Sequence, residues 1–122
     1  MRILLLGYGK MGKAIEAEAI GRGHHIVAKI DQHNLADLNG LSAAEVDVAI
    51  EFTHPGSFAG NLDRMLEKGI PMVSGTTGWH TELEAVKNRV ETAKGSFLYS
   101  SNFSVGVNLL FELNRKLAQL MN

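Results

Sequence analysis

The sequence lacks cysteine, so none of its 122 residues can form a disulfide bond, a cysteine-ligated zinc site or a reactive thiolate. It also lacks a surplus of either charge, with 12 Lys and Arg against 13 Asp and Glu, and we expect no nucleic-acid partner. No apolar run approaches the ~20 residues that cross a bilayer, and the run at residues 3–6 is too short for a signal peptide. We therefore expect no membrane partner and a cytoplasmic location.

Short apolar runs alternate with amphipathic stretches, a pattern typical of βαβ units and a parallel sheet. The pattern predicts strands at residues 3–6, 25–30, 46–52, 72–74 and 97–100, and helices at residues 10–21, 55–68, 81–94 and 107–121. A Ser-x-x-Glu pattern at residues 42–45 predicts one short turn of helix, and a Thr-x-x-Glu pattern at residues 81–84 predicts a capped helix start. We predict an α/β protein with a doubly wound, Rossmann-like parallel sheet, whose functional loops follow the strands.

The first loop has the G-x-G-x-x-G pattern between a predicted strand and a predicted helix. Its residues are Gly7, Tyr8, Gly9, Lys10, Met11 and Gly12. The first glycine permits a tight turn, the second lets the backbone approach a pyrophosphate, and the third lets the helix pack close to the strand. Free N–H groups at the helix start would face the phosphates. The loop predicts a site for NADH or NADPH, and the alternative is a glycine-rich turn without a ligand.

An acidic residue, Asp31, ends the second predicted strand, where it would accept hydrogen bonds from the adenosine ribose hydroxyls. Because a 2′-phosphate would be repelled there and no arginine follows directly, NADH is favoured. Lys10 and His33 could offset that phosphate, so the use of both cofactors stays open. Alternatively, Asp31 only caps a turn.

Other strand-end loops carry further polar groups. Glu51 and His54 could form a catalytic pair, although a strand-end carboxylate and a turn histidine are the simpler interpretation. Thr76 and Thr77, between two glycines, favour a functional loop beside the cofactor over a purely structural turn. We expect no metal site, because no set of ligands has suitable spacing, and no nucleophilic serine, because none has a paired base.

Four segments, in their order and spacing, resemble the dihydrodipicolinate reductase (4-hydroxy-tetrahydrodipicolinate reductase) family. They are residues 7–12, Glu-Phe-Thr-His-Pro at 51–55, Gly-Thr-Thr-Gly-Trp at 75–79, and Ser-Asn-Phe-Ser-Val-Gly-Val-Asn at 101–108. The resemblance covers the whole chain. It implies reduction of a cyclic imine-type dicarboxylate with NADH or NADPH, in the diaminopimelate route to lysine.

The resemblance also implies roles for individual residues. Residues 7–12 would hold the pyrophosphate, and Asp31 would take the acidic ribose position. Gln32 stands where a basic residue often follows, which argues against a strong preference for NADPH. Thr53 would also bind the cofactor, and the nicotinamide end would be held by Gly75, Thr76, Thr77, Ser100, Ser101, Asn102 and Phe103.

The family's substrate half carries a His-His pair, a lysine and a Pro-Ser-Gly-Thr segment, and no counterpart of that half appears here: the Pro-Ser-Gly-Thr segment is absent, and the one His-His pair, His24-His25, leads into the second predicted strand. We therefore predict a truncated reductase, with an NAD(P)-binding domain at residues 1–104 and a hinge and helix at residues 105–122. We expect no catalytic residue in this chain, no binding of the dicarboxylate without the missing domain, negligible turnover by the chain alone, and a homo-oligomer formed through the apolar last helix.

Two other functions fit the glycine loop and Asp31. A nucleotide-sensing domain without chemistry would carry both, and so would a different two-domain dehydrogenase. The segments at residues 75–79 and 101–108 argue against the sensor, because a sensor needs no nicotinamide-side loop or hinge, and the run at residues 102–108 argues against the other dehydrogenase.

Overall fold

A computed structural model describes all residues, 1–122, and contains a single five-stranded sheet in which every strand pair is parallel. The strands are β1 (Arg2–Leu6), β2 (His25–Ile30), β3 (Val48–Glu51), β4 (Met72–Ser74) and β5 (Phe97–Tyr99). The helices are α1 (Lys10–Gly21), α2 (Pro55–Lys68), α3 (Leu83–Thr92) and α4 (Val105–Met121), with 3₁₀ turns at Leu35–Gly40 and His80–Glu82. The doubly wound α/β prediction is confirmed.

The strand order is β2-β1-β3-β4-β5, so the chain first builds outward from β1 on one side and then on the other. In such sheets the crevice for a ligand opens at the carboxyl ends of the two strands where the direction reverses. Here those strands are β1 and β3, which pair from Ile3 with Val48 to Leu6 with Glu51. This register brings the loops after β1 and β3 side by side.

The central strand β1 is covered on both faces, as its unbroken apolar sequence predicts. Leu4 and Leu6 belong to the larger core, which α2 supplies with Phe58 and Leu62. The neighbouring positions of β1 point to a smaller core shared with α1. Because both faces of β1 are fixed by packing, its carboxyl end holds the glycine loop rigidly.

Several element boundaries differ from the sequence-based expectations. β3 covers residues 48–51 instead of 46–52, and β5 stops at Tyr99. The Ser42 pattern forms its hydrogen bonds, with Glu45 accepting from the Ser42 N–H at 2.8 Å, and closes a single turn, as expected, in which the Val46 N–H donates to the Ser42 carbonyl at 3.2 Å. The Thr81 pattern caps nothing: a 3₁₀ turn occupies it, and α3 starts at Leu83 without a side-chain cap.

The last helix also begins earlier than the expected residue 107. Ser104 caps α4, because its hydroxyl accepts a hydrogen bond from the N–H of Val107 at 3.3 Å. No residue of α4 is buried.

Candidate functional site

A groove with a volume of about 570 Å³ lies at the carboxyl ends of β1, β2 and β3. Its walls come from the glycine loop, the segment after β2, the loop after β3, and one face of α2. The lining residues are Leu6, Gly7, Tyr8, Gly9, Ile30, Asp31, Gln32, His33, Leu35, Phe52, Thr53, His54, Gly56, Ser57, Gly60, Asn61 and Arg64. This groove coincides with the crevice that the strand order predicts for a ligand.

Each glycine of the first loop meets a different requirement. Gly7 has φ +94°, and a β-carbon there would collide with the carbonyl oxygen of Phe52. A β-carbon on Gly12 would lie 2.5 Å from the carbonyl oxygen of Gly7, so α1 starts closer to the loop than any side chain allows. A β-carbon on Gly9, in contrast, would meet no atom within 4 Å. Gly7 and Gly12 are thus required by the fold, whereas Gly9 borders open space in the groove.

The start of α1 offers unsatisfied N–H groups to that space. No side chain caps the helix at Gly9, and its first turn contains no acidic residue. The first N–H groups of any helix lack intrahelical acceptors and carry partial positive charge. The glycine loop therefore has both the room and the polarity for a phosphate group, which fits the pyrophosphate of a dinucleotide.

The other residues of the loop take different positions. Tyr8 lines the groove with its ring, while its hydroxyl donates a hydrogen bond to Glu16, and the ammonium of Lys29 lies 4.7 Å from the ring centroid. The hydrogen bond to Glu16 raises the pKa of Tyr8, and the pKa of Glu16 is lowered by Tyr8 and by Lys29, 3.1 Å away. Lys10 and Met11 are exposed and lie outside the groove lining.

Asp31 lines the groove beside Gln32 and His33. One of its carboxylate oxygens accepts a hydrogen bond from the N–H of His33 at 2.7 Å, which closes a turn. The other oxygen makes no hydrogen bond within the chain, and the position is exposed. Asp31 therefore caps a turn and still presents an acceptor to the groove.

Glu51 is the residue whose surroundings differ most from the expected ones. It is 0% exposed, and three hydroxyls donate to its carboxylate: Ser74 at 2.5 Å, Thr76 at 2.8 Å, and Thr53. The Thr76 hydroxyl also accepts the N–H of Thr53 at 2.8 Å. Glu51 thus ties the loop after β3 to the loop after β4 and makes no hydrogen bond to His54, whose imidazole lies 2.9 Å from the Ser57 hydroxyl.

Aromatic contacts bring the remaining loops to the same edge. A β-carbon on Gly75 would overlap the ring of Phe52, so this close approach requires glycine. The Phe103 ring lies 6.5 Å from the Phe52 ring, centroid to centroid. The loops after β3, β4 and β5 therefore meet around Phe52, next to the carbonyl that contacts Gly7.

Trp79 anchors the loop after β4 to the core. Its indole N–H donates to the carbonyl of Thr76 at 2.7 Å, and its ring stacks on Phe58 at a centroid distance of 4.2 Å. Thr77 is exposed at the surface of the same loop. The fixed part of the loop is therefore Gly75–Thr76.

The loop after β5 is held by its own hydrogen bonds. The hydroxyl of Ser100 donates to the carbonyl of Asn102 at 2.8 Å and accepts the N–H of Asn102 at 3.1 Å. Ser101 is exposed, and Phe103 is 46% exposed. None of residues 100–103 lines the groove itself.

Sequence reasoning missed the contribution of α2 to the groove. Gly56, Ser57, Gly60, Asn61 and Arg64 form one wall. Their spacing by three and four positions places them on one helix face, and this periodicity was the available signal.

The structure contains neither a cluster of metal ligands nor a helix suited to a membrane. It brings together no group of three His, Asp or Glu side chains that could hold a metal ion. None of its helices combines the length and the apolar character that crossing a bilayer requires.

Comparison with known proteins shows the family to which the chain belongs. Residues 1–103 match the family model of the N-terminus of dihydrodipicolinate reductase. The chain is 43% identical over 121 residues to a 4-hydroxy-tetrahydrodipicolinate reductase of Christiangramia forsetii, covering 99% of this chain and 50% of the relative. The corresponding protein of Akkermansia muciniphila is 37% identical over 120 residues, with coverage of 98% and 48%. The chain thus spans about half the length of these relatives.

A solved structure shows the same fold. It is a dihydrodipicolinate reductase from Paenisporosarcina sp. TG-14 with dipicolinate bound, and it superposes with a TM-score of 0.71 at 23% identity, covering 93% of this chain and 51% of that one. The names of the relatives do not favour the alternative of a nucleotide sensor. The chain belongs to the dihydrodipicolinate reductase family and contains its N-terminal, dinucleotide-binding domain.

Proposed function

We propose that this chain is the cofactor-binding half of an enzyme that reduces 4-hydroxy-tetrahydrodipicolinate with NADH or NADPH. The observation that carries the proposal is the groove at the β1/β3 switch point, which joins the glycine loop, Asp31 and Thr53 in one continuous surface. This surface matches the crevice in which doubly wound sheets bind dinucleotides. The relatives' names supply the substrate.

Each end of the site has its own task in this proposal. The N-terminus of α1, beside Gly7 and Gly9, holds the pyrophosphate through backbone N–H groups. The free oxygen of Asp31 accepts hydrogen bonds from the adenosine ribose. When bound, the dinucleotide supplies the hydride that reduces the imine.

The nicotinamide end is assigned to the loops that meet around Phe52. They contribute Thr53, Gly75, Thr76, Thr77, Ser100, Ser101, Asn102 and Phe103. The hydrogen bonds of Glu51 keep Thr53 and Thr76 in place, so the wall needs little rearrangement when the cofactor arrives. Since Phe52 lines the groove and contacts this cluster, the two ends of the site are continuous.

Of the two cofactors, we propose that NADH is favoured, because a carboxylate at the ribose position repels a 2′-phosphate. We also propose that residues 1–104 form the cofactor domain and that residues 105–122 lead from it as a hinge and helix. A cytoplasmic location and a homo-oligomeric state complete the proposal, the latter because α4 exposes its apolar side chains.

The 122 residues hold no group that could position the dicarboxylate beside the nicotinamide. Hydride transfer requires donor and acceptor at roughly 3–3.5 Å and in a fixed orientation. We therefore expect that the dicarboxylate is bound by residues outside this chain and that the chain alone binds the cofactor without turning over.

Calorimetric titration of the pure chain with NADH and NADPH tests this function. We expect saturable binding with one site per chain, tighter for NADH, and no oxidation of NADH when the imine substrate is added. FAD, which also carries an ADP moiety, is the control ligand and should bind more weakly. Absence of binding by both nicotinamide cofactors would contradict the cofactor role, and measurable turnover would contradict the absence of catalytic groups.

A further inference from the structure

The groove contains one arginine, Arg64, that the glycine loop and the acidic ribose position leave unexplained. Arg64 is the only lysine or arginine among the lining residues. The other four arginines of the chain each form an ion pair, with Asp47, Glu18, Asp63 and Glu112. Arg64 forms none, and the residue is half-buried in the groove wall. A half-buried cation without an anionic partner is a candidate binding group for an anion.

The helix geometry directs this cation toward the mouth of the groove. Side chains of a helix lean toward its N-terminus, and the N-terminus of α2 lies at the carboxyl end of β3. The guanidinium reaches back over Gly60, one turn earlier, where a β-carbon would be 3.0 Å from its Nη1 atom. Glycine at position 60 thus leaves the space that the folded-back arginine occupies.

The same helix face provides a flat wall next to the cation. Gly56 and Gly60 are separated by one helical turn, about 5.4 Å, and neither projects a side chain into the groove. Asn61, which is 4% exposed, adds a buried amide beside them. Asp31, Gln32 and His33, which follow β2, line the same groove. The adenosine end of the groove therefore has a carboxylate on the β2 side and a cation on the α2 side.

We propose that Arg64 binds the adenosine 2′-phosphate of NADPH. The inference rests on the proposed cofactor role of the groove and refines it. Asp31 alone would restrict the chain to NADH, whereas Arg64 compensates its charge and admits the phosphorylated cofactor. The cation comes from α2 and replaces the basic residue that is absent after Asp31, where Gln32 stands.

The test compares ligands that differ only in the 2′-phosphate. The unmodified chain and Arg64→Gln are titrated with NADPH and 2′,5′-ADP and, in parallel, with NADH and AMP. We expect Arg64→Gln to weaken binding of the two ligands that carry a 2′-phosphate about tenfold or more, and binding of the other two less than about twofold. Arg64→Lys should retain most of the affinity for 2′,5′-ADP, because it keeps the charge. Arg22→Gln, on the exposed end of α1, is the matched control and should change no affinity.

Salt dependence gives a second readout. Affinity for 2′,5′-ADP should fall more steeply with ionic strength in the unmodified chain than in Arg64→Gln, because one charge pair is missing in the variant. Equal weakening of AMP and 2′,5′-ADP would overturn the proposal in favour of a contact with the adenine ring. Unchanged binding of all four ligands would overturn it too. If the unmodified chain bound none of them, both this proposal and the cofactor role would fall.

Discussion

Gly9 and Gly12 stand three residues apart in the same loop, but they differ in what surrounds them. Space is open around a β-carbon at Gly9, whose φ of −87° is accessible to any residue. At Gly12 a β-carbon would be 2.5 Å from a backbone oxygen. The groove alone therefore explains why position 9 carries glycine, whereas the packing of α1 explains position 12.

This difference predicts opposite effects of the same substitution. Gly9→Ala should leave the melting temperature nearly unchanged and weaken NADH at least about tenfold, because the methyl group occupies the pyrophosphate position. Gly12→Ala should destabilise the fold by about 1–3 kcal/mol, which lowers the melting temperature by several degrees. Thermal melts and calorimetric titrations measure the two effects separately.

Gly21→Ala is the control for the two variants, because it lies at the other end of α1 with no atom within 4 Å of its β-carbon. It should affect neither stability nor binding by much. If Gly9→Ala bound NADH as tightly as the unmodified chain, the pyrophosphate could not lie against this loop.

Some site residues were predictable from the sequence and others were not, for a physical reason. The residues of the glycine loop are contiguous in sequence, so the spacing of its glycines is enough to predict a dinucleotide site. The contacts of Glu51 depend on the register of β3 and β4, which places Glu51 opposite Ser74. The sequence does not reveal that register, and it therefore favours an ordinary strand-end carboxylate at Glu51. Arg64 was missed because a single arginine in an amphipathic helix usually faces solvent.

At the scale of elements, α4 is an amphipathic helix without a partner. Its largest exposed side chains include Leu109, Leu113 and Leu117, at 65%, 65% and 52% exposure. They are spaced by four residues and therefore lie on one face. Monomeric proteins rarely expose a continuous apolar strip of this kind.

We therefore predict that α4 drives self-association of the chain. Burying each leucine is worth roughly 1.5–3 kcal/mol, so sedimentation velocity should show a dimer or larger species that grows with concentration. The triple variant Leu109→Gln, Leu113→Gln and Leu117→Gln should sediment as a monomer. Lys116→Gln, a polar substitution in the same helix, is the control and should not change the distribution. If the unmodified chain stayed monomeric at high concentration, that result would contradict the prediction.

Element positions followed the sequence closely where hydrophobic period and stop signals agreed. For α2, proline at the start and Gly69 in the left-handed conformation at the end gave both limits. Expectations were wrong where a local capping pattern competed with tertiary packing. The Thr81 pattern does not start a helix, because a 3₁₀ turn begins directly after Trp79, whose ring is buried in the core. Local patterns do not contain the packing that decided this boundary.

For the molecule as a whole, an ion pair joins the first strand to the segment that leads into β3. The guanidinium of Arg2 lies 2.7 Å from one carboxylate oxygen of Asp47, and the N–H of Arg2 donates to the other at 2.6 Å. These hydrogen bonds lower the pKa of Asp47 from 3.8 to about 2. A carboxyl group whose pKa is lower in the folded than in the unfolded protein stabilises the fold at pH values above its unfolded pKa. This contribution disappears as the pH falls toward its folded pKa.

Asp47→Asn should therefore destabilise the protein near neutral pH and do so less as the pH falls from about 5 toward about 2. Urea unfolding at a series of pH values measures the difference between the variant and the unmodified chain. Glu84→Gln is the control, because Glu84 pairs with Lys87 within one exposed helix at 3.3 Å. A destabilisation by Asp47→Asn that stayed constant over this pH range would contradict the role of the ion pair.

The single tryptophan of the chain gives the loop after β4 an optical label of its own. Trp79 donates its indole N–H to the carbonyl of Thr76 and is 3% exposed. Its emission therefore originates from one dry, ordered environment, with no second indole to obscure it. Because the reduced nicotinamide ring absorbs where an indole emits, the protein contains a donor chromophore attached to the loop against which the acceptor would lie.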